Sequence, residues 1–446
     1  MADISLAARP AQNSPRPYVF PEVRSSAVGA GRILGAHLPG QPIAWISLLL
    51  DGGALREPAG LDGLARATAG LLDEGSAKRS ADEFGTAVES LGGSWSVDTG
   101  WLTARLSIDL PVAEAAAGAD LLAEAVRTPA FTDKDVERYL SDLIASKREA
   151  FARPGPRAQA ALRGALYGTG VRFGRLTGGD PETAAALDAE AVRAFHATWL
   201  RNAGTLLVSG DLDRLDLEAL GRTLFGDFPK AEEGTDADPV AVRASNRMVI
   251  ADRPGAVQST LRIGHPTPTR AKTTASGVDI VALRLGATIL GGSFTSRLNH
   301  ELREVKGYTY GAHAGFDFGR PVGMFSFSAE VRTDATAAAV ADTLRVIEEF
   351  VDAGATKEEL DKTRAYLAGA TPIGLQTAGA VGSRLVEMAR HGLPADYVTT
   401  EHARLLEVTL DDVNTAVRAA LRPADLIVAV EGDESVVGAD LGELGL

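Results

Sequence analysis

The second half of this sequence repeats signals of its first half, and that repeat constrains the fold more than any other feature. Leu187-Asp188 opens a predicted helix that leads to a strand ending in Gly210-Asp211. Leu410-Asp411 opens another that leads to a strand ending in Gly432-Asp433. Both pairs lie about 222 residues apart, and two independent pairs at one offset indicate a duplicated domain of roughly 200 residues.

Each half combines hairpins with helices rather than alternating single strands and helices. In the first half we predict strands over 28–36 and 43–50, a hairpin over 95–110, and helices over 60–72, 80–91, 111–126 and 132–151. In the second half we predict a hairpin over 311–331 and a helix over 336–352. The pattern predicts an α+β chain of two homologous halves, each a largely antiparallel sheet with helices packed on one face.

The composition sets the expected boundaries. We expect an extended leader over 1–24, because Pro10, Pro15 and Pro17 interrupt a segment that lacks the apolar run of a signal peptide or membrane anchor. One domain is then expected over 25–228 and a second over 247–446. The acidic, apolar-poor segment 229–246 between them has the composition of a linker.

Charge and cysteine content narrow the class of function. The chain has 446 residues, a formal charge of −14 and no cysteine. An acidic chain without a basic run is not expected to bind nucleic acid. The absence of cysteine excludes disulfides, thiolate metal sites and a cysteine nucleophile. No apolar run reaches the length of about 18 residues needed to span a bilayer, so we expect a cytoplasmic protein without a membrane partner.

The stretch from Gly291 to Tyr310 carries most of the functional signal. A glycine turn precedes Thr295 or Ser296 as helix N-cap, and Gly307 closes the helix. The residues expected on the buried face of this helix are Leu298, Leu302 and Val305.

A strand follows this helix, and the geometry would bring Arg303 and Tyr310 towards the same place. Arg303 offers a fork of donors and Tyr310 a phenol donor. From spacing alone, the simplest interpretation is a solvated helix face for Arg303 and sheet packing for Tyr310.

The run SRLNHELREVKGYTYG resembles the most characteristic stretch in the second half of the M16 zinc metallopeptidases, the insulinase-like and processing-peptidase-like family. FHATWLRNAGTLLVSGD and LGGSFTSRL resemble two further parts of that family. The resemblance implies a LuxS/processing-peptidase-like fold, and a chamber enclosed by two chains. It also implies that Arg303 and Tyr310 are catalytic residues that contact substrate, and that the loop of Gly291, Gly292, Ser293 and Phe294 binds substrate.

The zinc motif of that family is absent here. The family carries H-x-x-E-H on the first helix of its N-terminal half, and the matching positions hold Arg66, Ala69 and Gly70. No histidine occurs between residues 38 and 195, so no shift of register restores the motif. Asp73 and Glu74, near the lost motif, are expected on a solvated helix end. We assign no metal ligand and no cofactor to this chain.

The resemblance therefore implies the non-zinc subunit of a heterodimeric M16 metalloendopeptidase, inactive alone. A homologous partner with an intact H-x-x-E-H motif would carry the zinc, and Arg303 and Tyr310 would hydrogen-bond an unfolded peptide or its oxyanion. The alternative is a catalytically silent scaffold subunit of a larger assembly, in which the central stretch survives because it folds the second half.

Overall fold

The computed structural model describes residues 15–226, 228–230, 247–320 and 322–446. Most of the predicted leader, residues 1–14, and most of the predicted linker, residues 231–246, lie outside the described residues. Within the described ranges, no helix is long and apolar enough to cross a membrane.

The first half contains a six-stranded sheet in the order β1-β2-β6-β3-β5-β4. Only β2 and β6 run parallel; the other neighbours are antiparallel. The strands are β1 Val23–Val28, β2 Gly31–His37, β3 Ile43–Leu50, β4 Ser94–Thr99, β5 Ala104–Pro111 and β6 Thr205–Gly210.

The second half contains a five-stranded sheet in the order β7-β11-β8-β10-β9. Here β7 and β11 are the parallel pair. The strands are β7 Met248–Asp252, β8 Gln258–Thr267, β9 Thr309–Phe318, β10 Gly323–Arg332 and β11 Ile427–Gly432.

The two sheets repeat one topology, because β2-β6-β3-β5-β4 corresponds strand by strand to β7-β11-β8-β10-β9. The repeat extends to single hydrogen bonds. Asp211, after β6, accepts a bond from the backbone N–H of Gly40 at 3.1 Å, and Asp433, after β11, accepts one from Gly255 at 2.6 Å. The predicted α+β fold of two homologous halves is confirmed.

Helices supply most of the remaining structure. In the first half they are α1 Leu64–Gly70, α2 Ala81–Ser90, α3 Ala115–Arg127, α4 Asp133–Ala152, α5 Pro154–Tyr167, α6 Pro181–Ala185, α7 Ala189–Phe195 and α8 Leu217–Phe225. In the second half they are α9 Arg270–Ala275, α10 Ile280–Ala287, α11 Arg297–Asn299, α12 Thr336–Ala353, α13 Lys357–Gly374, α14 Ala378–His391, α15 Tyr397–Glu407, α16 Leu410–Ala420 and α17 Glu434–Gly442.

Each sheet packs helices of its own half on one face, and the two halves also exchange a helix. α5 of the first half packs on β7, β11 and β8 of the second sheet. α14 of the second half packs on β6, β3 and β2 of the first sheet. Both contacts are apolar: Leu162 and Leu166 of α5 meet Ala429, and Val381 and Leu385 of α14 join the cluster around Trp45.

One predicted strand begins too early. The strand expected over 28–36 is β2, which begins at Gly31, whereas Val28 ends the preceding strand β1, because Gly29 adopts a left-handed φ of 58° and turns the chain. Such a φ favours glycine. A Val-Gly-Ala-Gly sequence reads as one continuous strand unless the first glycine is recognised as a turn.

Candidate substrate-contact site

Two π-helical turns flank the loop that the sequence singled out. They span Thr288–Gly292 and His300–Val305, and residues 293–296 lie between the first of them and α11. Ser296 is the N-cap residue of α11, with extended backbone angles. π turns occur frequently at functional sites, because the extra residue re-aims neighbouring side chains.

Asn299 ties this loop to strand β9. Its amide nitrogen donates to the carbonyl oxygens of Ser293 at 3.1 Å and Ala312 at 2.7 Å, and its amide oxygen accepts from the N–H of Ala312 at 2.9 Å. The side chain is buried, so these bonds satisfy groups that water cannot reach. Sequence reasoning missed Asn299; an amide among the apolar positions of the helix was the available signal.

Gly291 packs closely against strand β9, whereas the three residues that follow it are open to solvent. A Cβ atom on Gly291 would lie 2.5 Å from the Cβ of Ala314 in β9, so only glycine permits this approach. Gly292 and Ser293 are partly exposed, and Phe294 is 73% exposed. Of the four predicted loop residues, Phe294 therefore presents most to solvent.

Arg303 is engaged within the chain. Its guanidinium carbon lies 3.4 Å from the centroid of the Phe294 ring. Its Nε donates to Glu304 Oε1 at 2.9 Å, and its Nη2 donates to the same oxygen. The Arg303 side chain is 15% exposed. Phe294 and Glu304 thus hold the guanidinium in one orientation.

Tyr310 projects from a β-bulge at the edge of the second sheet. Ala329 of β10 pairs with Ala312, whereas Val331 pairs with Thr309, so β9 carries an extra residue at this point. The Thr309 hydroxyl donates to the carbonyl of Gly311 at 2.8 Å and accepts its N–H at 3.1 Å, which holds the bulge. Bulges re-aim side chains and are common next to active sites.

The bulge leaves the Tyr310 side chain 95% exposed, beside a cavity of about 410 Å³. Polar side chains from β8, β9 and β10 share the wall of this cavity. They include Arg262, His313 and Glu330. Tyr310 is therefore a presented phenol donor in polar surroundings, rather than the packed sheet residue that spacing alone suggested.

Asn299 joins the helical segment that carries Arg303 to strand β9, which carries Tyr310. The side chains of Arg303 and Tyr310 nevertheless have different neighbours. Among the described residues, no hydrogen bond or ring contact joins the two. The predicted buried face of the helix is also partly wrong, because Leu298 and Leu302 are buried whereas Val305 is 58% exposed. The π turn explains this, since it breaks the helical spacing on which the prediction depended.

A tyrosine fills the place where the zinc motif would end. Tyr139, on α4, directs its hydroxyl at Gly70, so that a Cβ on Gly70 would lie 2.0 Å from the Tyr139 oxygen. Any longer side chain at this position needs Tyr139 to move. Ala69 is buried and offers no ligand atom.

The charge near this position also differs from that of a metal site. A Cβ atom added to Gly178 would lie 2.7 Å from Lys147 Nζ and 3.6 Å from Arg66 Cδ. The two cationic side chains are therefore neighbours. Burial and the neighbouring Arg66 guanidinium lower the pKa of Lys147. Two cations repel a divalent metal ion, and this position supplies no imidazole to hold it. The residues present therefore do not fit zinc.

The acidic residues that follow α1 are less exposed than expected. Asp73 is partly buried, and burial raises its pKa to about 6. Glu74 accepts a hydrogen bond from Arg138 of α4 at 2.5 Å. These residues differ from the solvated helix end predicted for them, because α4 packs over this end of α1.

One group of possible metal ligands occurs elsewhere in the described residues: His37, Asp211 and Asp213, with ligand atoms within 4.8 Å of one another. Each has a partner in the fold. His37 Nδ1 accepts the N–H of Leu212, Asp211 accepts that of Gly40, and Asp213 pairs with Arg24 at 2.9 Å. We interpret the group as structural.

Comparison with known proteins agrees with the fold. Residues 32–177 match the family model described as insulinase, peptidase family M16, and residues 186–367 match that described as the peptidase M16 inactive domain. Together the two matches cover more than half of the chain. They define a peptidase-like chain of the insulinase class. The chain belongs to the M16 peptidase family.

Two relatives and one solved structure show the range of this likeness. An uncharacterized zinc protease of Streptomyces coelicolor is 25% identical over 89% of this chain and 87% of its own length. The non-peptidase homolog YmxG of Helicobacter pylori is 22% identical over 87% and 89%. A peptidase M16 inactive domain from Pseudomonas fluorescens superposes with a TM-score of 0.84 at 24% identity, covering 92% of this chain and 98% of that one.

Proposed function

We propose that this chain is the non-zinc subunit of a heterodimeric M16 metalloendopeptidase that hydrolyses unfolded peptides. A homologous subunit with an intact H-x-x-E-H motif supplies the zinc and the activated water. This chain supplies hydrogen-bond donors to the peptide or to the oxyanion that forms on its scissile carbonyl.

The observation that carries this proposal is the presentation of Tyr310. A phenol that is 95% exposed on a held bulge has no role in the core of its own sheet. Tyrosine is enriched at binding surfaces, where its ring supplies contact area and its hydroxyl a hydrogen bond. In this chain the Tyr139 hydroxyl fills the space beside Gly70, where the zinc motif would end. We therefore do not expect this chain to hydrolyse peptides alone.

Arg303 can act beside Tyr310 without leaving its place. Nε and Nη2 donate to Glu304, and within the described residues Nη1 has no partner. Nη1 therefore remains a donor while the guanidinium stays stacked on Phe294. We assign Nη1 of Arg303 and the Tyr310 hydroxyl as the two substrate contacts.

A reconstituted complex tests this assignment. We expect Tyr310→Phe to lower kcat/KM by about 10²-fold, roughly 3 kcal/mol, as removal of one oxyanion donor does. The variant keeps the ring and removes only the hydroxyl, so zinc content and melting temperature should stay unchanged. The measurement is hydrolysis of an internally quenched peptide by the chain co-expressed with a zinc-motif relative.

Tyr308→Phe provides the matched control, because Tyr308 packs against the core of the second half and lies two residues from Tyr310. It should leave kcat/KM unchanged. Full activity of the Tyr310→Phe complex would refute the catalytic assignment of Tyr310.

A scaffold subunit is the second candidate, and the engagement of Arg303 favours it. An arginine paired with Glu304 and stacked on Phe294 can stabilise the second half without any substrate. The relative from Helicobacter pylori is also named a non-peptidase homolog. If no zinc-motif relative forms a stable, active complex with this chain at micromolar concentration, the scaffold function is the better one.

A further inference from the structure

A second cavity lies beside Phe294. It has a volume of about 440 Å³ and separates the loop Ser293, Phe294 and Thr295 from one side of helix α13. Cavities of roughly 300–1,000 Å³ lined by aromatic and apolar groups are typical of small-ligand sites.

Two exposed aromatic side chains, one from the loop and one from helix α13, line this cavity. Phe294 is 73% exposed, and Tyr366 of α13 is 58% exposed. The Arg303 guanidinium stacks on the Phe294 ring, and the first turn of α13 is fixed where Arg297 bonds Glu359 at 2.7 Å. Phe294 and the first turn of α13 are therefore held in place before any ligand arrives, which reduces the ordering cost of binding.

A lysine stands at the rim without an internal partner. Lys362 is exposed and lines the cavity, and it makes no ion pair within the described part of the chain. Two neighbouring carboxylates are used elsewhere: Asp361 pairs with Lys357 and Arg364, and Glu359 pairs with Arg297. A free ammonium beside aromatic walls favours a ligand that joins an apolar group to a negative charge.

We propose that this cavity binds a large apolar side chain of a peptide whose adjacent residue carries a carboxylate. The inference rests on the proposed function for its substrate class, since it takes the ligand to be an unfolded peptide. The apolar side chain enters between Phe294 and Tyr366, and the carboxylate pairs with the Lys362 ammonium. Tyr366 and Lys362 then select the substrate, while Arg303 positions the Phe294 wall.

Binding to the full-length chain without a partner tests this inference. The probe is a fluorescein-labelled peptide amide, Ala-Ala-Phe-Glu-Ala-Ala, and the matched probes replace its Phe by Ala or its Glu by Gln. Fluorescence anisotropy measures each dissociation constant. We expect the loss of Phe to weaken binding about 10-fold or more, as loss of a buried aromatic anchor does. Loss of the carboxylate should weaken it about two- to five-fold, as for an exposed ion pair, and added salt should remove that difference.

Variants of the chain locate the site. Tyr366→Ala should weaken binding of the parent peptide about 10-fold, and Lys362→Gln should abolish the preference for Glu over Gln. Ile373→Ala is the matched control, since Ile373 is a 68% exposed apolar residue of the same helix outside the cavity wall. It should leave binding unchanged.

The possible outcomes separate this inference from the proposed function. Equal affinity for the Phe and Ala probes, unchanged binding in Tyr366→Ala, or no binding at millimolar peptide would overturn the assignment of the cavity. None of these measurements needs zinc or a partner subunit. Failure to form an active heterodimer would therefore refute the proposed function and leave the binding result standing.

Discussion

A single glycine and a single tyrosine hydroxyl decide what the end of helix α1 can carry. Gly70 and Tyr139 are so close that a methyl group on Gly70 would overlap the tyrosine oxygen and approach its ring carbon Cζ to 2.9 Å. A histidine placed there could not point into this space. Re-creating the zinc motif on this chain therefore requires a change on α4 as well as on α1.

We expect Gly70→Ala to destabilise the fold by about 1–3 kcal/mol, the usual cost of overpacking. Urea denaturation measures the free energy of unfolding. The matched control is Gly85→Ala in α2, where a Cβ meets nothing within 4 Å, and which should stabilise by about 0.5–1 kcal/mol through helix propensity. Adding Tyr139→Phe to Gly70→Ala should recover part of the loss; an equal loss with and without the hydroxyl would contradict the steric explanation.

At the scale of elements, the exchanged helix α14 depends on close contact with the first sheet. Gly382 lies against the indole of Trp45, where a Cβ would lie 2.2 Å from ring carbon Cε3. Trp45 itself is buried, so it cannot turn aside into solvent. Glycine inside this helix is thus explained by packing.

We expect Gly382→Ala to lower the free energy of unfolding by about 1–3 kcal/mol. Gly369→Ala is a control in helix α13, where a Cβ meets nothing within 4 Å, and it should raise stability by about 0.5–1 kcal/mol. Thermal unfolding followed by circular dichroism, with tryptophan fluorescence alongside, measures both. A stabilised Gly382→Ala variant would show that α14 does not pack on Trp45 in solution.

Elements with strong local signals could be predicted from the sequence, and those that depend on distant contacts could not. Strand β3 lies where its apolar run predicted it, over Ile43–Leu50, and helix α4, Asp133–Ala152, lies within one residue of the range predicted at each end. The exchange of α5 and α14 gives no local signal, because an apolar helix face does not specify which sheet it covers.

The candidate site shows the same division. The N-cap Ser296 and the closure at Gly307 are local features, and the sequence predicted them, whereas the glycines predicted as a turn lie in the π turn Thr288–Gly292. The bulge at Tyr310 depends on pairing with β10, and Arg303, which stacks on Phe294, lies in a π turn. Neither feature follows from residue spacing. Val305 was predicted to be buried because the prediction assumed regular α-helical spacing through the same π turn.

At the scale of the whole molecule, the exchanged helices join the two halves into one folding unit. The first sheet needs α14 to bury Leu34 and Leu207, and the second sheet needs α5 to bury Ile427 and Ala429. The N-terminal segment adds a further tie, since Tyr18 N–H donates to His402 Nδ1 of helix α15 at 3.1 Å.

We therefore expect the full chain to unfold in one transition, although its sequence is a duplication. Scanning calorimetry should give a calorimetric enthalpy equal to the van't Hoff enthalpy, the test of two-state behaviour. Circular dichroism and tryptophan fluorescence should report the same midpoint. Two separated heat-absorption peaks would show that the halves unfold independently and would contradict this expectation.

The late position of α14 has a consequence for synthesis on the ribosome. The bond from Ser209 Oγ in β6 to the carbonyl of Ala378 joins groups 169 residues apart. At translation rates of about 5–20 residues per second, the first sheet waits roughly 10 to 30 s for its covering helix. During that interval the apolar face around Trp45 is open to water and to other nascent chains, so we expect the first half alone to aggregate more readily than the complete chain.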